Sequence, residues 1–133
     1  LREALEQRPL EEPPVVALRR AVIERLEHPG VALTDTAIVY GQIASEHPDL
    51  LARAMGERQI VLEGLVPNLA ARMGVDPTSD PRPRLLAHSL HAVTTTPWST
   101  WLEHPTTDIA ALVDDMLAAF EPVFDRLEAT DRA

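Results

Sequence analysis

The sequence predicts an all-α domain, a bundle of five or six helices. Three observations carry that expectation. Apolar residues recur three and four apart through most of the chain, while strict alternation is absent and β-branched runs are short. Proline and glycine clusters cut these periodic stretches into helix-sized pieces joined by short loops. Residues 85–102 contain no Asp, Glu, Lys or Arg in a chain that is 25% charged, and they hold both tryptophans. Ser89, Thr94, Thr95, Thr96, Ser99 and Thr100 are too polar for a membrane span, so the segment is expected to be a helix buried on all sides.

In chain order, Pro13 and Pro14 suit a first helical turn, and Val15, Leu18, Val22 and Leu26 keep helical spacing until His28-Pro29-Gly30 stops the run. Thr34 or Asp35 is expected to cap a shorter helix that carries Ile38, Val39, Tyr40 and Ile43 and ends at His47-Pro48. Pro48 opens the next helix, where Leu51, Met55, Leu62, Val66, Leu69 and Met73 form one stripe down to Gly74, with a bend expected at Gly64 and Pro67. Residues 76–83, with three prolines, form a loop, and the uncharged helix follows, kinked near Val93 by Pro97. After His104-Pro105, Thr106 or Thr107 caps a final helix carrying Ile109, Leu112, Val113, Met116, Leu117, Phe120, Val123, Phe124 and Leu127. That apolar stripe spans about 140°, wider than the roughly 100° a single core contact requires.

A chain of 133 residues is one domain by prior. It has no cysteine, which excludes disulfide scaffolds and thiolate metal sites and fits a cytoplasmic setting. A net charge of −9 repels phosphate backbones and anionic membranes, so neither nucleic acid nor membrane is an expected partner of this chain by itself. Residues 1–7 read as the tail of a helix rather than a signal peptide, and the chain is expected to be a fragment.

No chemistry-bearing motif converges. Leu69-Ala70-Ala71-Arg72-Met73-Gly74-Val75 is similar to the second helix and turn of a helix-turn-helix reader, but an acidic, proline-broken stretch follows where a recognition helix belongs. An ordinary helix end with a glycine terminator is the simpler reading. His88 and His91 share a helix face, yet no third ligand or orienting partner accompanies them, so hydrogen-bonded histidines are preferred to a metal site. His47 belongs to a helix end. There is no nucleophile elbow and no phosphate loop, and an enzyme with cofactor has no warrant.

Trp98 and Trp101 are either core fillers or the wall of a pocket. An enclosed, mostly apolar pocket is expected between the helix over residues 48–74 and the uncharged helix, lined by Tyr40, Met55, Gln59, Leu62, Val66, Leu90, His91, Thr94, Trp98 and Trp101. A homodimer is expected across the last two helices. Leu85, Ser89, Ala92 and Thr96 would allow close approach there, and Leu112, Met116 and Val123 would supply apolar contact, burying roughly 800 Å² or more per subunit.

Pro48-Asp49-Leu50-Leu51-Ala52-Arg53, the alanine-rich residues 69–76, Asp80-Pro81-Arg82-Pro83-Arg84-Leu85-Leu86-Ala87, and Trp101-Leu102 before the last helix together resemble the C-terminal domain of TetR-family transcriptional regulators. The nearest type is the actinobacterial regulators with an acyl-CoA-like ligand-binding domain, such as the mycofactocin-system regulator. The resemblance covers roughly residues 10–127, and Pro97 with Thr94, Thr95 and Thr96 departs from its alanine- and leucine-rich pattern. It implies a single ligand-binding and dimerisation domain over residues 1–133, with residues 1–8 the end of a connecting helix and the DNA-reading helix-turn-helix half absent. It also implies a repressor whose last two helices build a four-helix dimer bundle and whose cavity senses a small apolar or acyl-like effector. The competing reading is a free-standing helical dimerisation or adaptor module without a ligand pocket.

Overall fold

A computed structural model describes residues 1–28, 35–104 and 108–129. The described residues form seven helices and no strand: α1 (Arg2–Glu6), α2 (Pro14–Glu27), α3 (Asp35–Glu46), α4 (Pro48–Glu63), α5 (Val66–Met73), α6 (Arg82–Glu103) and α7 (Ile109–Ala129). None is long and apolar enough to cross a membrane among the described residues.

Local chemistry explains most of the boundaries. Proline occupies the first turn of α2, α4, α5 and α6, where its missing N–H would have no intrahelical partner anyway. Gly74 closes α5 in the left-handed conformation at φ 66°, and the Val75 N–H returns to the Ala70 carbonyl at 3.1 Å. Asp80 accepts the Arg82 N–H at 2.9 Å at the start of α6, and Asp108 accepts the Ala111 N–H at 3.1 Å at the start of α7. Of the expected caps, Thr34, Thr106 and Thr107 lie outside the described residues.

Two expectations about these helices need correction. The helix expected over residues 48–74 is two helices, because Pro67 lacks the donor that would reach the Glu63 carbonyl and its ring crowds that oxygen, so α4 ends there. The stripe is buried only from the last turn of α4 onward: Leu62, Leu65, Val66 and Leu69 are core, whereas every residue of α4 from Pro48 to Val61 is exposed. The uncharged helix is also not buried on all sides within one chain. Leu86, Leu90, Val93, Pro97 and Trp101 face inward, while Leu85, Ala92, Thr96, Ser99 and Thr100 are exposed.

The core is built from α2, α5, α6 and α7, with Leu5 of α1 beneath them. Ile109, Val113, Leu117 and Phe124 bring α7 against α2 and α6. α3 lies on α4 and approaches the C-terminal half of α6, where a side chain on Gly41 would meet Leu102 at 3.3 Å and the Trp98 indole nitrogen at 3.6 Å. α6 continues as one helix through Pro97.

Candidate functional site

The chemistry-bearing side chains converge on the seam where α4 crosses α6. Glu63 accepts from His88 Nε2 at 3.0 Å and from Arg84 Nε at 3.3 Å. Gln59 Nε2 lies 3.4 Å from His88 Nε2. Arg58 Nη1 donates to the Thr95 hydroxyl at 2.9 Å and lies 3.4 Å from His91 Nδ1. These pairs set an antiparallel register, in which α4 residues of rising number meet α6 residues of falling number.

The electrostatics follow that geometry. Glu63 is held below the usual carboxylate range, first by the His88 hydrogen bond and then by Arg84. Burial lowers the pKa of His91, and the neighbouring Arg58 and His88 lower it further. A neutral His91 is an acceptor suited to a guanidinium. His88 and His91 thus point to different partners, and among the described residues no group of three or more His, Asp or Glu could hold a metal.

The residues expected to line a pocket divide into three sets. Leu62, Val66, Leu90 and Trp101 belong to the packed core. His91, Thr94 and Trp98 are half-buried on α6; the Thr94 hydroxyl bonds its own helix at the Leu90 carbonyl, and the Trp98 ring lies 5.2 Å from that of Trp101. Met55 and Gln59 are exposed on α4, Met55 by 55%. Tyr40 lies on α3, with its side chain outside the described part of the structure. The expected enclosure is corrected on this point: the N-terminal half of α4 stands away from the core, with Met55 and Leu51 exposed, Leu51 by 44%. Arg58, on the same α4 stripe as Met55 and Leu62, was not anticipated from the sequence. Its place on an otherwise apolar row is the signal that could have found it.

Two clefts lie away from this seam. One of about 830 Å³ runs between α2 and α7 over Val16 and Ile23, but it is rimmed by the ion pairs of Arg8, Arg19 and Arg20. A smaller one of about 390 Å³ lies between the start of α1 and Ile60 and Val61 of α4 with Gly64 beyond its end.

The face expected to pair with a second copy combines exposed and half-buried residues. On α6, Leu85 is 49% exposed, Ala92 and Thr96 are exposed and Ser89 is half-buried. On α7, Met116 and Val123 are exposed by 40% and 46%, with Leu112 half-buried.

The sequence profile of the MftR C-terminal domain matches residues 12–125. No curated protein matches the chain.

Proposed function

Because the chain belongs to the MftR C-terminal domain family of TetR-type regulators, we propose that it is the effector-binding and dimerisation domain of a transcriptional repressor that senses a small apolar or acyl-like ligand. The family match over residues 12–125 carries this reading. It is supported by apolar side chains that α3 and α4 leave in contact with water, namely Val39, Ile43, Leu51 and Met55, on helices of which α3 comes against the half-buried Trp98 at Gly41. Exposed apolar surface of this kind is a cost that a bound hydrophobic ligand removes. The proposed site takes Met55, Gln59, His91, Thr94 and Trp98 as wall and Leu62, Val66, Leu90 and Trp101 as floor, and Tyr40 of α3 is assigned to it from the sequence alone.

In this reading the protein is cytoplasmic, has no catalytic role and forms a homodimer through α6 and α7. DNA contact belongs to another part of the regulator, since a net charge of −9 opposes binding to phosphates by this domain. Ligand changes the regulator only through different affinity for two packings of the domain. The test uses Trp98 and Trp101 as reporters: titration with 1-dodecanol should give a saturable change in tryptophan emission that Met55→Asp weakens. No saturable change with either the alcohol or laurate up to their solubility limits would refute the ligand-binding reading.

A further inference from the structure

We infer that Arg58 is the head-group reader of this site, and that the natural ligand class is an apolar acid bound through its carboxylate. The inference rests on the effector-binding reading and adds the charge of the ligand to it.

Most described arginines sit on carboxylates. Arg8 pairs with Glu12, Arg19 with Asp114, Arg53 with Glu57, Arg82 with Asp80 and Arg84 with Glu63. Arg58 differs: its described partners are the Thr95 hydroxyl and His91 Nδ1, both uncharged acceptors, and both reached through Nη1. The carboxylate on this seam, Glu63, is already engaged by His88 and Arg84. Arg58 is therefore held in place across two helices while Nε and Nη2 keep their hydrogen-bonding capacity for a planar anion, the geometry a guanidinium suits better than any other side chain.

The antiparallel register places the hydrocarbon. Gln59 meets His88 and Arg58 meets His91 and Thr95; the same register carried one turn back along α4 would pair Met55 with Trp98, and carried two turns back Leu51 with Leu102. Met55 and Leu51 are 55% and 44% exposed, so apolar surface of α4 on the N-terminal side of Arg58 is open to a ligand chain. A carboxylate on Arg58 with its chain along Leu51, Met55 and Trp98 uses both halves of that arrangement.

The experiment compares anionic laurate with neutral 1-dodecanol, matched in length, by tryptophan fluorescence on the full chain. Arg58→Gln is the test variant and Arg53→Gln, which removes an exposed pair on the same helix, is the control. Laurate should bind the unsubstituted chain about tenfold or more tighter than the alcohol, and Arg58→Gln should erase that preference while Arg53→Gln keeps it. Equal binding of laurate and dodecanol, or laurate binding that Arg58→Gln leaves unchanged, overturns the carboxylate assignment and leaves the apolar site standing. Failure of both probes to bind overturns the site as well.

Discussion

Arg72 shows how much one side chain can hold. It reaches from α5 to the end of α1, where Nη2 donates to the carbonyls of Leu5 at 2.8 Å and Arg8 at 3.1 Å, Nη1 donates to that of Pro9, and Nε donates to Asn68. The Leu5 and Pro9 carbonyls also accept turn N–H groups, from Arg8 at 3.3 Å and Glu12 at 3.2 Å, and a five-donor guanidinium ties all three carbonyls together at the helix end. Glu12 is the anionic counterpart, accepting from Arg8 at 2.6 Å and from Arg20 at 2.6 Å. The Arg8 hydrogen bond, then that of Arg20, pulls the Glu12 pKa down to about 2. A carboxyl lowered on folding stabilises the fold above its unfolded pKa and loses that contribution as pH falls toward the folded value. The unsubstituted chain should therefore exceed Glu12→Gln in urea midpoint at neutral pH, with the gap closing as pH drops from the usual carboxylate range to about 2. A gap that stays constant through that window would show that Glu12 acts by packing instead. Residue roles of this sort were poorly legible in the sequence. His88 and His91 stood out by spacing, but only the crossing of α4 separates them into a partner of Glu63 and a partner of Arg58.

Helix boundaries were far more legible, because proline, glycine and capping residues act within a few positions of themselves. Gly74 is the clearest case. Its φ of 66° lies in the left-handed region, and space around an added Cβ is open, so Gly74→Ala isolates the backbone cost. That substitution should lower stability by about 1 kcal/mol in chemical denaturation, and a neutral result would mean that the end of α5 relaxes freely. The polar chemistry of α6 is equally local. Hydroxyls of Ser89, Thr94, Thr96, Ser99 and Thr100 return to carbonyls of their own helix, at Leu85, Leu90, Ala92, Thr95 and Thr96 respectively. An uncharged helix rich in hydroxyls thereby needs no polar partner elsewhere. Burial was the illegible part. Periodicity gave Leu51, Met55 and Leu62 one face, yet whether a face meets core depends on neighbours distant in sequence, and α5 rather than the first turns of α4 took that place.

At the scale of the whole molecule, α7 is clamped from one side and left open on another. Arg19 of α2 grips Asp114 through two hydrogen bonds of 2.6 and 2.7 Å and lies 3.5 Å from Glu121, while Val113, Leu117 and Phe124 pack inward. The pairing also keeps Asp114 below the usual carboxylate range, the Arg19 hydrogen bond being the main cause. With α2 on that flank and α6 on the next, the surface that carries Met116 and Val123 stays in water, continuous in kind with the exposed Leu85, Ala92 and Thr96 of α6. Small residues on α6 let a helix backbone approach closely, and the larger apolar side chains on α7 gain from losing water, so a second copy of the same face is the natural cover. A stable interface of this kind buries roughly 800 Å² per subunit, and an acidic side chain placed within it would be desolvated without a cation to meet it. Met116→Asp, exposed in the single chain and so tolerated by its fold, should convert a dimer into a monomer by light scattering while leaving the helical circular dichroism intact. A monomeric mass for the unsubstituted chain, or a dimer that survives the aspartate, would place the contact elsewhere, and the exposed apolar pair α3–α4 would then be the surface left to account for it.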